Sequence, residues 1–150
     1  MQPYINMAGA YKDRILNMDV KRWIKSHEGL KLKMYRDSVD KWTIGYGRNI
    51  EDNGITLQEA EFMFDNDFLR CKNELISYGW YACQPQNIQS ALLNMCYNMG
   101  LSRLLGFKKM IAAIIERDYT KAAMEVMDSK WAKQVGDRAK DVALMMREGE

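Results

Sequence analysis

The strongest constraint in this chain is a change of hydrophobic period inside residues 26–50, SHEGLKLKMYRDSVDKWTIGYGRNI. Before it, Val20, Trp23, Ile24 and His27 fall at i, i+3, i+4 and i+7, one apolar helix face. Asp19 can cap that helix and Gly29 stops it, which puts Glu28 in its last turn. From Leu30 the period becomes two. Leu30, Leu32 and Met34 alternate with Lys31, Lys33 and Tyr35, as a strand requires. Ser38, Val39, Asp40 and Lys41 read as a turn. Trp42, Thr43, Ile44 and Tyr46 favour a second strand, with Gly45 and Gly47 permitting tight backbone. Asp52, Asn53 and Gly54 read as a further turn. Residues 30–55 are thus a small β region of two or three strands, flanked by helices.

Downstream the pattern is helical to the end. Thr56 and Glu59 fit a capping box. The helix behind them should turn Ala60, Phe64, Phe68, Cys71 and Leu75 inward. Pro85 can open a helix, and Ile88, Leu92, Met95, Cys96 and Met99 then form an apolar stripe ended by Gly100. That helix should be the centre of the core, with shorter helices over about 107–116, 119–128 and 137–147. Residues 4–17 are weakly helical, with Ile5, Ala8, Tyr11 and Ile15 near helical spacing. The expected fold class is α+β, mainly α. A small β lobe (about 30–55) and a larger helical lobe (about 56–150) share a domain over 19–150, joined by a long helix, behind a helical extension over 1–18. A ligand site is expected between the lobes.

Composition narrows the function. A net charge of +2 over 150 residues permits an acidic polymer as substrate but is no sign of a nucleic-acid binder. Three cysteines, Cys71, Cys83 and Cys96, cannot all pair. Their spacing matches no zinc or redox pattern, and the one histidine, His27, has no nearby cysteine or histidine. Buried or half-buried free thiols in a reducing compartment are expected, with no metal or cofactor. Lys12, Asp13 and Arg14 break the N-terminal stretch, so no secretory leader is expected there, and no run is long enough to span a membrane.

Glu28, Asp37 and Thr43 carry the chemistry. Cleaving a glycosidic bond takes a carboxyl that donates its proton to the leaving oxygen. It also takes a second group that orients or activates water on the other sugar face. The negative end of a helix suits Glu28 to keeping a proton. Asp37 ends a strand in a polar turn, which suits the ionised form. Thr43, on the next strand, can hold a water through its hydroxyl. Each residue alone has an ordinary explanation: a solvated helix end, a turn aspartate, a strand threonine packing its methyl. His27 reads as a helix-face residue rather than a base, and Arg48 and Arg138 as surface arginines.

The order of these residues says more than any one of them. HEGLKLKMYRDSVDKWTIGYG, with Glu-Gly, Tyr-x-Asp and Thr-Ile-Gly-Tyr-Gly in sequence, resembles the signature of the phage lysozyme (muramidase) family. ALLNMCYNMG, GFKKMIAAI, AAMEVMDSKW and DRAKDVALMMREG resemble the helices that follow in that family, so the resemblance spans about residues 20–149. It implies Glu28 as general acid, Asp37 as the carboxylate that orients or activates water, and Thr43 as the hydroxyl that helps place it. It also implies Tyr97 as an aromatic contacting sugar, Arg138 as the arginine paired with the catalytic glutamate, and Asn49 on the substrate side. Arg48 and Asn49 stand where the family often has His and Leu. The implied reaction is hydrolysis of the β-1,4 bond between N-acetylmuramic acid and N-acetylglucosamine in peptidoglycan, with inversion. A monomer is implied, held in the host cytoplasm without stable membrane insertion until a separately encoded holin releases it to the wall. Two other readings remain: a lytic transglycosylase using Glu28 alone, and a non-catalytic wall-binding or virion protein.

Overall fold

The protein's structure, a computed structural model, describes residues 3–148, and their side chains from residue 9 onward. Its fold is mainly α with one small antiparallel sheet, as the sequence predicts. The chain divides into two units, one ending at Glu59 and one starting at Ala60.

The first unit opens with α1 (Pro3–Leu16) and α2 (Val20–Glu28). The helix expected over 4–17 is therefore present, although the side chains at 5 and 8 lie outside the described residues. Asp19 caps α2 by accepting from the Arg22 N–H at 3.1 Å, and Gly29 ends it with φ 69°. Three strands follow, β1 (Lys31–Arg36), β2 (Trp42–Gly45) and β3 (Arg48–Asn49), in the order β1-β2-β3. Tyr35 pairs with Thr43, Arg36 with Trp42 and Thr43 with Asn49. A register shift interrupts β1 between Lys31 and Tyr35. Where the sequence suggests only a turn at 52–54, a short helix α3 (Ile50–Asn53) forms. The reason is local: Asn49 accepts the Asp52 N–H at 3.0 Å and caps the turn into a helix, and Gly54 closes it at φ 59°.

Helix α4 (Leu57–Ile76) begins with the expected capping box. The Thr56 N–H donates to Glu59 at 2.7 Å and the Glu59 N–H donates to the Thr56 hydroxyl at 3.2 Å. Only the C-terminal half of α4 reaches a core. Cys71 and Leu75 are buried, whereas Phe64 and Phe68 stay 45% and 38% exposed, contrary to the inward face predicted for them. They stack on each other at 6.0 Å, and Phe64 packs on Tyr97 at 5.2 Å.

That core belongs to the second unit. It is built around α6 (Gln86–Met99), whose Ile88, Leu92, Met95 and Cys96 are all fully buried. Around it pack α8 (Lys108–Ile115), α9 (Tyr119–Met127) and α11 (Asp137–Arg147). Three short helices escape the sequence pattern: α5 (Gly79–Ala82), α7 (Leu101–Leu105) and α10 (Lys130–Val135). They are too short to display a period. Buried polar groups are matched: Tyr119 donates to the Gln84 side-chain oxygen at 2.9 Å, and Trp131 donates to Asn98 at 2.8 Å. The three cysteines are free thiols. Cys71 and Cys96 are buried as expected, but Cys83 is exposed because it caps the short surface helix α5. Burial first, and the neighbouring Cys71 second, push the Cys96 thiol up to about 12.

Leu92 sits at the centre of this core with no exposed surface. Leu92→Ala should cost about 2–5 kcal/mol, read as a lowered midpoint of urea unfolding.

Candidate functional site

The first unit carries four of the residues singled out in the sequence, and it brings Asp37, Thr43 and Asn49 together on its hairpin. Glu28 is the last residue of α2, and its side chain lies against the turn between β2 and β3. The approach is close. A Cβ built on Gly47 would stand 2.6 Å from the Glu28 Oε2, and Gly47 has φ 74°. Any other residue at 47 would meet both a strained backbone and the carboxyl. Lys25, one turn before Glu28, holds its ammonium 4.9 Å from the Tyr46 ring centre, a second tie between α2 and the same turn. Gly47 is thus a site residue that sequence reasoning registered only as a permissive glycine. Its relation to Glu28 is made by folding and leaves no local mark beyond the Gly-Tyr-Gly string.

Asp37 follows β1 and is held by three donors. The Lys41 N–H reaches its Oδ1 at 2.9 Å, the Val39 N–H reaches the same oxygen at 3.0 Å, and Thr43 stands 3.1 Å from Oδ2. Foremost the Lys41 N–H, with the Val39 N–H and the Thr43 hydroxyl, holds the Asp37 carboxyl below its ordinary range against a smaller opposing effect of desolvation. Thr43 is buried, and its hydroxyl oxygen lies 3.1 Å from the Lys41 carbonyl as well. A hydroxyl has one proton, so at any moment it serves one of these two acceptors and keeps lone pairs for a further donor.

Around this pair runs a charged frame. Trp42 donates its backbone N–H to Glu51 at 3.1 Å, and Lys41 reaches Glu51 at 3.3 Å and Asp52 at 3.0 Å. The Arg36 guanidinium lies 4.1 Å from the Trp42 ring centre and 3.4 Å from Glu51. The Trp42 N–H, then Lys41, lower the Glu51 carboxyl, and Asp52, then Glu51, raise the Lys41 ammonium. These contacts tie the β1–β2 turn to α3. Asn49 is spent inside the frame, capping α3 and donating to Asp52 at 2.8 Å. Arg48 is ion-paired with Glu59 rather than free at the surface.

The remaining two candidates belong to the second unit. Tyr97 packs on Phe64 and keeps 37% of its surface exposed. Arg138, in the first turn of α11, donates through Nε to the Asn94 side-chain oxygen at 2.8 Å. The same unit holds a cavity of about 700 Å³ whose lining includes Arg103, Lys108, Lys109 and Lys130. Sequence reasoning did not single these cations out, since they come from three helices and the residues flanking them. Among the described residues no helix is long and apolar enough to cross a membrane.

Comparison with known proteins adds an independent line. The sequence model of the phage lysozyme family matches residues 25–149. The pre-baseplate central spike protein Gp5 of Enterobacteria phage T4 is 28% identical over 163 residues, which cover 89% of this chain but only 28% of the spike protein. The probable T4-type lysozyme 2 of Dictyostelium discoideum is 28% identical over 160 residues, 87% of this chain and 94% of its own length. The endolysin of Acyrthosiphon pisum secondary endosymbiont phage 1 is 31% identical over 114 residues, 73% of this chain and 75% of its own.

Two outcomes are expected. Gly47→Ala should displace the Glu28 carboxyl and strain the turn, seen as shifted amide resonances confined to residues near 28 and 43–49. The stability that Asp37 contributes is present above its unfolded-state pKa and is lost as pH falls through its lower folded-state value. Asp37→Asn should therefore flatten the acid limb of the unfolding free energy, measured by urea titration from neutral to acidic pH.

Proposed function

Because this chain belongs to the phage lysozyme family, we propose that it is a muramidase, hydrolysing the β-1,4 bond between N-acetylmuramic acid and N-acetylglucosamine in peptidoglycan. The observation that carries the reading is the placement of two carboxyls in the first unit. Asp37 is fixed as an anion by two backbone N–H groups and a threonine. Glu28 closes α2 and lies over a glycine that leaves it room.

In this reading Glu28 gives its proton to the glycosidic oxygen as the bond to the sugar carbon breaks. A water attacks that carbon, and its proton passes to Asp37. Thr43 holds the Asp37 carboxylate in place and offers its remaining lone pairs to the same water. The products are a free alcohol on one sugar and a reducing end on the other, with no metal or cofactor called on. Tyr97 is proposed as a sugar contact and Arg138 as a residue of the substrate side. Asn49, which also caps α3, is proposed on the substrate side. The endolysin relative favours host-cell lysis as the biological role, with a separately encoded holin giving access to the wall.

The test is turbidity of permeabilised Gram-negative cells with the released muropeptides weighed. The wild-type chain should clear the suspension and leave reducing ends. Glu28→Gln should lose ~100- to 10,000-fold in rate while keeping its circular dichroism. Full clearing by Glu28→Gln would sink the proposal. Products lighter by one water would show an anhydro end and a transglycosylase instead. Thr43→Val, nearly isosteric, should lower the rate and raise the Asp37 pKa together, seen by carboxyl NMR.

A further inference from the structure

Beyond the glycosidase reading and independent of it, the second unit gathers two buried thiols and a carboxylate at one point. Cys71 and Glu74 are three residues apart on α4 and so share a face of that helix. Cys96 comes from α6, 25 positions further along the chain than Cys71. The two sulfurs and a Glu74 carboxylate oxygen all lie within 4.8 Å of one another. Cys71 and Cys96 are 3% and 0% exposed, and Glu74 is half-buried.

We propose that Cys71, Cys96 and Glu74 form a binding site for a thiophilic divalent cation of the zinc class. The donor set fits such an ion and not a hard one. Thiolates select zinc and its softer congeners, whereas calcium and magnesium take oxygen ligands throughout. The geometry also fits. A tetrahedral zinc with bonds of about 2.3 Å to sulfur holds its donors about 3.8 Å apart. Separations of at most 4.8 Å need close by no more than about 1 Å to reach that spacing. Glu74 is available, because its carboxylate forms none of the ion pairs among the described residues, and the neighbouring cation, Arg70, is engaged by Asp67 at 3.1 Å. A shallow groove lined by Asn66, Leu69, Arg70, Asn73 and Glu74 opens beside the carboxylate. It opens the carboxylate side of the site to solvent, which can supply a water as fourth ligand. As the two sulfur–metal bonds form, both thiol protons leave to solvent. The bound ion would tie the buried half of α4 to α6. The site gives no spacing motif, since its sulfurs are far apart in sequence.

The experiment uses the full chain, reduced and freed of metal by chelation, titrated with cadmium as the probe. One cadmium per chain should produce a thiolate charge-transfer band in the ultraviolet. Cys83→Ser should keep it, and Cys71→Ala and Cys96→Val should each lose most of it. Glu74→Gln should weaken binding about tenfold or more, at least the loss seen when an outer partner of a metal ligand is removed. Zinc should raise the Tm of the wild type with increasing concentration and leave that of Cys96→Val unmoved. Far-ultraviolet circular dichroism of each metal-free variant checks that its helices are intact. No band in the wild type overturns the site. So does a band that survives Cys71→Ala and Cys96→Val, or one that disappears in Cys83→Ser. A Glu74→Gln chain that binds as tightly as the wild type overturns the part given to the carboxylate.

Discussion

The hairpin of the first unit is closed by one carboxylate. Asp37 accepts the N–H groups of Val39 and Lys41 and lies against the Thr43 hydroxyl. Those three groups belong to the turn and to the strand that follows it. The aspartate thereby closes the turn, sets Tyr35 opposite Thr43, and fixes its own orientation with the same bonds. A carboxylate that gathers donors from backbone is also held in its charged form, so structural and chemical roles coincide. The strand pairing places Asn49 beside Thr43, and Asn49 in turn caps α3, whose Glu51 and Asp52 hold Lys41.

Against this fixed anion, Glu28 is held differently. It ends a helix and rests over Gly47. Two carboxyls of one small unit are thus placed in different settings, one among three donors and one at a helix end over a glycine. The glycine matters through what it lacks. Its positive φ turns the chain back between β2 and β3, and its missing side chain leaves the volume that the Glu28 carboxyl occupies.

The second unit follows another rule. Its stability comes from a stripe of Leu, Ile and Met on α6 covered by α8, α9 and α11. Polar groups trapped there find partners, as Tyr119 does on Gln84 and Trp131 on Asn98. The two thiols buried between α4 and α6 are the part of that interior whose chemistry is not exhausted by packing.

How much of this was legible in the sequence depends on the range of the interaction. The switch of period near Leu30, the Asp19 cap, the Thr56–Glu59 capping box and the α6 stripe are all encoded within a few residues, and the structure has them where the sequence puts them. The order Glu28, Asp37, Thr43 was legible for the same reason, since one helix end and one hairpin carry all three. Local pattern misjudged Phe64 and Phe68, because helical spacing names a face but not whether a core lies opposite it. It also missed α5, α7 and α10, which are shorter than the period that would reveal them. Only tertiary structure decided that Gly47 lies under Glu28, that Arg48 pairs with Glu59, and that Cys71 meets Cys96 beside Glu74. Each of those contacts joins residues far apart along the chain, so no run of neighbours in the sequence could record it.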